Sequence, residues 1–134
     1  IRLGRGPDPG VPGSSEAPSF TSPPYAASAA FCGDRRKARD LFVNSWKPYR
    51  LHPYWMASKY QGGERRGCLT GSGSLLQAVM LGLTGMRITD GAWCRHPASL
   101  PEGWTSIEID RIMVSGRWKR LYVEHGKVAK LSDV

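Results

Sequence analysis

The sequence has 134 residues, enough for one ordinary domain or for the end of one domain joined to a small second one. Hydrophobic residues make up 40% and charged residues 22%, a balance typical of globular rather than disordered proteins. Apolar runs fall short of the roughly 18–20 residues that a membrane-spanning helix needs, so we expect no membrane contact. Because the chain opens at Ile1 without a recognisable signal peptide, we expect a fragment whose compartment cannot be read.

The formal charge of +8 raises the question of nucleic acid, which is bound by clustered Lys and Arg. The basic residues are instead scattered over a predicted helix, a loop and a hairpin, so we expect no nucleic-acid partner. The three cysteines are odd in number and lack the spacing of metal ligands, and we expect reduced thiols, no metal and no cofactor. They are Cys32, Cys68 and Cys94.

The first half of the chain predicts an unstructured lead followed by helices. Residues 1–22 are dense in Gly, Pro and Ser and offer almost nothing to bury. Pro23-Pro24 then opens an Ala-rich helix over residues 25–31, and Asp34 can cap a second helix directly after Gly33. This pattern predicts a helix pair joined by a very short turn.

Residues 44–67 contain prolines, paired glycines and five aromatic residues, and predict a long loop or a set of short turns. Apolar residues then recur at helical spacing up to Gly85, which can end the helix with a positive φ. We expect this helix to be amphipathic and buried, with Thr70 or Ser72 as its N-cap.

From residue 86 onward the hydrophobic period shortens towards two, which predicts strands. Ser115-Gly116 is typical of a hairpin turn, and His125-Gly126 predicts a further turn before the last strand. The tail is therefore predicted to be a β-meander within a small sandwich, and the fold class is α+β.

Two segments could bind a ligand. Tyr54, Trp55 and Tyr60 lie among polar residues, a mixture that suits a sugar, although each ring could equally be a core residue between helices. The Thr-Gly-Ser-Gly-Ser stretch contains Thr70 and Ser72 and could present backbone amides and hydroxyls to a polar ligand. The simpler alternative for this stretch is an ordinary helix cap with flexible glycines.

These residues carry a resemblance to glycoside hydrolase family 65. Residues 55–60 (WMASKY), 69–79 (LTGSGSLLQAV) and 82–88 (GLTGMRI) are similar, in this order, to the segment that closes the catalytic barrel of that family. Residues 96–104 (HPASLPEGW) resemble the segment that leads into its C-terminal domain. The similarity extends over roughly residues 22–131.

The resemblance implies that residues 23–85 are the last helices of an (α/α)6 barrel and that residues 86–134 form a small all-β C-terminal domain. It implies an inverting hydrolase or phosphorylase acting on an α-glucoside such as a glucose disaccharide. The general acid would lie upstream of this chain. The general-base Glu of hydrolytic members matches Lys59, whose protonated ammonium cannot accept a proton from water, so we expect hydrolysis to be lost or impaired.

Three interpretations of Lys59 stay open. The chain could be a degenerate copy, Glu64 could replace the missing base after a loop rearrangement, or the cation could assist phosphate beside Thr70 and Ser72. A non-enzymatic alternative is a carbohydrate-binding or interaction module that uses Tyr54, Trp55 and Trp104. The expected partner of the parent protein is an oligosaccharide or disaccharide, and the sequence does not indicate an oligomeric state.

Overall fold

The computed structural model describes residues 19–51, 53, 56–61 and 67–134, and these residues form a mixed α and β fold. Three α-helices and small antiparallel sheets are present, and the described residues form no closed barrel. The helical elements are α1 (Ser22–Phe31), α2 (Arg35–Trp46), a 3₁₀ turn (Lys47–Tyr49), α3 (Leu69–Gln77) and a π-helical turn (Ala78–Leu83). The strands are β1 (Arg50–Leu51), β2 (Met56–Ala57), β3 (Met86–Thr89), β4 (Ala92–Arg95), β5 (Ser106–Val114), β6 (Arg117–Glu124) and β7 (Lys130–Asp133).

Helices α1 and α2 form the predicted pair. Gly33 joins them with φ of +87°, and the Asp34 carboxylate accepts a hydrogen bond of 3.0 Å from the Lys37 amide, as expected of an N-cap. The buried residues Ala26, Ala29, Ala30 and Ala38 are all small, which lets the two helices approach closely. Both predictions for this pair are confirmed.

The start of α1 lies earlier in the chain than the predicted residue 25. Ser19 is buried, and Ser22 is already the first helical residue with Pro23 in the first turn. The last residues of the stretch predicted as an unstructured lead are therefore part of the folded structure. Residues 1–18 of that stretch lie outside the described residues.

The predicted cap of α3 is wrong. Cys68, in extended conformation, is the N-cap and its sulfur accepts a hydrogen bond from the Gly71 amide, so Thr70 and Ser72 lie within the first turn. The Cys68 amide donates to the Ala57 carbonyl at 2.6 Å, and this link to β2 fixes where the helix can begin. The predicted burial also fails for most of the helix, because Leu69 and Leu76 are 87% and 60% exposed.

The C-terminal end of this helix is buried as predicted. The π-helical turn follows α3 directly and leads to Leu83 and Thr84, which are both fully buried. The Thr84 hydroxyl donates to the Met80 carbonyl and accepts from the Met86 amide at 3.2 Å. Gly85 ends the helix with φ of +74°, and a side chain there would overlap the His96 carbonyl oxygen, which confirms the predicted glycine stop.

The strands confirm the predicted meander. β3 and β4 form one hairpin, and β5, β6 and β7 form a three-stranded antiparallel sheet in that order. Ser115 and Gly116 both have positive φ, of 50° and 76°, as a tight hairpin turn requires. A register irregularity between Ile109 and Ile112 marks a bulge in β5.

One buried cluster joins the helices to the meander, and it includes Leu41 of α2, Leu100 of the connecting segment and Leu121 of β6. The Arg35 guanidinium donates through Nε to the Leu100 carbonyl at 2.8 Å. Its Nη2 donates to the carbonyls of Pro101 and Trp104 at 3.3 and 3.4 Å. Arg35 thereby fixes α2 to the segment that leads into β5.

None of the helices in the described ranges combines the length and apolar character that crossing a membrane requires.

Replacing Arg35 with Met should lower the free energy of unfolding by about 2 kcal/mol, because three part-buried carbonyls lose a charged donor. Urea denaturation followed by circular dichroism measures the change. Arg36→Met is the matched control, since Arg36 is the exposed neighbour on the same helix. Equal transition midpoints for the two variants would show that the guanidinium does not hold the helices to the meander.

Acidification should weaken the meander through two of its carboxylates. Hydrogen bonds from Lys127 and Tyr122 lower the pKa of Glu124, and a hydrogen bond from Lys119 lowers the pKa of Asp133. Groups with a lowered folded-state pKa contribute stability above the ordinary carboxylate range and lose it as the pH falls through their folded pKa.

The thermal midpoint should therefore fall as the pH drops from neutral to about 3, where carboxylates protonate. The double variant Glu124→Gln with Asp133→Asn should show a flatter profile over the same range. Parallel profiles for the variant and the parent chain would refute this assignment.

Candidate functional site

A cleft of about 490 Å³ lies between the end of α2, strand β2 and helix α3. Its volume falls within the range of small-molecule sites in proteins. The wall mixes hydroxyl groups, an arginine, an aromatic ring and aliphatic side chains, which is the mixture that a polar ligand with apolar faces requires. The lining residues are Ser19, Ser45, Trp46, Arg50, Ala57, Gly71, Ser72, Leu75 and Leu76. We call this space the α3 cleft.

Cys68 accepts the hydrogen bonds that fix the part of the cleft wall formed by the first turn of α3. Its sulfur accepts from the Gly71 amide at 3.3 Å, and its carbonyl accepts from the Ser72 amide at 3.2 Å and from the Ser72 hydroxyl at 3.4 Å. These bonds hold the first turn of the helix against the cleft. The structure therefore places Ser72, a predicted binding residue, in the wall of the α3 cleft.

Ser19 forms a buried part of this wall that the sequence did not reveal. Only 2% of the residue is exposed, yet its hydroxyl has no hydrogen-bond partner among the described residues. Leaving a buried hydroxyl unpaired costs about 1–3 kcal/mol. A water molecule or a ligand hydroxyl in the cleft would remove this cost.

Lys59 lies beside the α3 cleft through its main chain. Its carbonyl accepts from the Ser19 amide at 2.8 Å, whereas its exposed side chain places Nζ 5.1 Å from the centre of the Tyr60 ring. The neighbouring Ser58 is buried and donates from its amide to the Tyr49 carbonyl at 2.7 Å, which fixes the path of the chain. Lys59 itself does not line the cleft.

The other predicted residues are not brought to this cleft by the described structure. Thr70 is exposed on the first turn of α3 and does not line it. Tyr54, Trp55 and Glu64 lie outside the described residues. Of the predicted binding residues, the cleft therefore contains Ser72, with Lys59 adjacent through its backbone.

Other residues of the wall were also not predicted as binding residues, among them Trp46, Arg50 and Gly71. Arg50 lies with its guanidinium carbon 5.0 Å from the centre of the Trp46 ring, a cation–π arrangement that forms one side of the cleft. Gly71 packs against Ser19, and a Cβ at that position would overlap the Ser19 hydroxyl. In the sequence, the glycine between Thr70 and Ser72 was the signal that another segment could approach the helix closely here.

Among the described residues, no group of three or more His, Cys, Asp or Glu side chains could hold a metal ion.

No family model matches the chain. It is similar to the kojibiose hydrolase of Mucilaginibacter mallensis, with 26% identity over 106 residues that cover 79% of this chain. It is also similar to the kojibiose hydrolase of Flavobacterium johnsoniae, with 27% identity over 99 residues that cover 73% of this chain. The matched regions span 15% and 14% of these two proteins. These similarities support a relationship between the chain and the glycoside hydrolases.

Two glycines of α3 provide a matched test of the wall. Gly71→Ala should destabilise the chain by about 1–3 kcal/mol, because the new methyl group meets Ser19 in a packed wall. Gly73→Ala should instead stabilise it by about 0.5–1 kcal/mol, since its Cβ would meet nothing within 4 Å and Ala favours helix. Chemical denaturation measures both changes. If both substitutions stabilise the chain, Ser19 does not pack against α3 as described.

Proposed function

We propose that the chain is the C-terminal portion of a carbohydrate-active enzyme resembling glycoside hydrolase family 65. In this proposal residues 23–85 are the last helices of an (α/α)6 catalytic barrel, and residues 86–134 are a small β domain. The observation that carries the proposal is the similarity to two kojibiose hydrolases over most of the chain. The α3 cleft supports it, because its wall has the polar and apolar mixture that a sugar requires.

The proposed substrate of the parent protein is a glucose-containing disaccharide with an α linkage, kojibiose being the one named by its relatives. The proposed chemistry is inversion at the anomeric carbon. A general acid protonates the leaving oxygen, and a carboxylate on the opposite face activates the attacking water. In this proposal the acid comes from a part of the protein that precedes these residues.

Lys59 occupies the proposed general-base position. A carboxylate accepts a proton from water, whereas an ammonium group has three donors and no acceptor. We therefore propose that hydrolysis is lost or strongly impaired in the protein that carries Lys59. Glu64, five positions further along the sequence, is the carboxylate that a rearranged loop could supply instead.

A phosphorolytic relative is the second candidate, and the Ser19 hydroxyl, which has no hydrogen-bond partner among the described residues, favours it. Phosphate oxygens accept hydrogen bonds, so a phosphate in the α3 cleft could accept from the Ser19 hydroxyl, whereas the Ser72 hydroxyl already donates to the Cys68 carbonyl. Lys59 and Thr70 do not line the cleft, so this candidate requires the Lys59 side chain to move from Tyr60 towards it before the cation can assist phosphate. In this candidate phosphate replaces water as the nucleophile and no base is needed.

The test is to express the complete protein that contains these residues and to follow glucose release from kojibiose. Lys59→Glu should raise hydrolysis by on the order of 100-fold or more, the usual contribution of a positioned general base. Lys59→Gln is the matched control, because it removes the charge without supplying an acceptor for the proton. The control should stay as inactive as the parent protein.

Three results decide between the alternatives. Substantial hydrolysis by the protein with Lys59, abolished by Glu64→Gln, would assign the base to Glu64. Release of glucose 1-phosphate only when phosphate is present would favour the phosphorolytic candidate. A protein that turns over no α-glucoside with Lys, Glu or Gln at position 59 would refute the enzymatic proposal.

A further inference from the structure

A second cleft, of about 420 Å³, lies where the start of α2 meets the open end of the meander. We call it the junction cleft. It contains residues from three separate parts of the chain, and the residues that line it differ from those of the α3 cleft. They are Arg35, Trp104, Thr105, Ser106, Tyr122, Glu124 and His125.

Glu124 provides an acceptor in the junction cleft. Its Oε1 accepts from the Tyr122 hydroxyl at 3.0 Å, and its Oε2 is ion-paired with Lys127. The same contacts lower the pKa of Glu124 and raise the pKa of Tyr122, so the carboxylate stays charged and the phenol stays protonated at neutral pH. Lys127 pairs with Oε2, and the carboxylate oxygens keep lone pairs that can accept a further hydrogen bond.

His125 and Arg35 provide donors. The His125 Nδ1 accepts from the Leu100 amide at 3.2 Å, so the proton of the neutral imidazole lies on Nε2. In Arg35, Nε and Nη2 bind backbone carbonyls, and Nη1 has no hydrogen-bond partner among the described residues. Both side chains are held in place by their backbone contacts, so their remaining donors are fixed before a ligand arrives.

The combination of groups selects a class of ligand. The Glu124 carboxylate would repel a free anion, and the Arg35 guanidinium would repel a free cation. A neutral molecule with several hydroxyl groups can use the donors and the acceptor together, and also the hydroxyls of Thr105 and Ser106. Trp104 and Tyr122 add aromatic residues of the kind on which the C–H faces of a sugar ring pack.

We propose that the junction cleft is a second carbohydrate-binding site, which takes one pyranose unit through Glu124, His125 and Arg35. The site serves to hold a sugar and not to cleave it, because its single carboxylate has no carboxylic acid partner. This proposal does not depend on hydrolysis at the α3 cleft. It requires only the residues of this chain.

The test uses the 134-residue chain, labelled with nitrogen-15, and methyl α-D-glucopyranoside as the probe. Titration to millimolar concentrations should shift the backbone amides of residues 104–106 and 122–125. Glu124→Gln should weaken binding about tenfold or more, as expected for loss of a hydrogen bond to a charged group. Glu108→Gln is the matched control, since Glu108 lies exposed on β5 outside the junction cleft, and it should bind like the parent chain.

Thr105→Val provides a second variant that tests the site should Glu124→Gln disturb the fold. Thr105 is exposed, and the loss of its hydroxyl should weaken binding about fivefold while the spectrum stays that of the parent chain. The proposal fails if no amide shifts, if sulfate binds here in place of the glucoside, or if neither variant changes the affinity. Shifts confined to residues 69–76 would place the sugar in the α3 cleft, which contradicts this proposal and supports the other.

Discussion

The structure depends most on the contact between the Arg35 guanidinium and the backbone carbonyls of residues 100–104. A planar cation with donors on two sides can bind several carbonyls at once, which a lysine in this place could not do with the same geometry. The Glu102 amide returns a hydrogen bond of 2.9 Å to the Arg35 carbonyl, and Phe42 packs edge-on against Trp104. Helix α2 is therefore held at its first turn by hydrogen bonds and further along by an aromatic contact.

This contact positions the helix that forms part of both clefts. Arg35 forms part of the junction cleft directly, and Ser45 and Trp46 at the other end of the same helix form part of the α3 cleft. An α-helix of 12 residues is about 18 Å long, so fixing its first turn also fixes the position of its last. One helix thus positions residues of both proposed sugar sites, although the sites share no residue.

Local signals account for the parts of the fold that the sequence predicted well. Asp34 as a cap, Gly85 as a helix stop and Ser115-Gly116 as a hairpin turn each act on backbone groups within a few residues. Such effects depend on neighbours in the chain, and they can be recognised without knowing the fold. The alternation of the last 49 residues, from 86 to 134, similarly predicted the meander because one face of it had to be buried.

Contacts between distant segments account for what the sequence did not predict. The start of α3 is set by a hydrogen bond from Cys68 to Ala57, and a thiol was not an expected cap beside a Thr and two Ser. Ser19 stood in a stretch whose composition indicated disorder, and its burial depends on Lys59 and Gly71, 40 and 52 positions further on. Ser72 lies in the wall of the α3 cleft, and its role in binding a ligand stays a prediction.

The exposed apolar residues of the helical part bear on the fate of this chain in a cell. Phe31, Leu69 and Leu76 are each more than half exposed, although side chains of this kind are usually covered in soluble proteins. Such surfaces promote self-association and removal by quality-control proteases when nothing covers them. The amount of this chain in a cell would then depend on the amount of protein surface that covers these apolar residues. Chains made in excess of that surface would be degraded, and covered chains would persist.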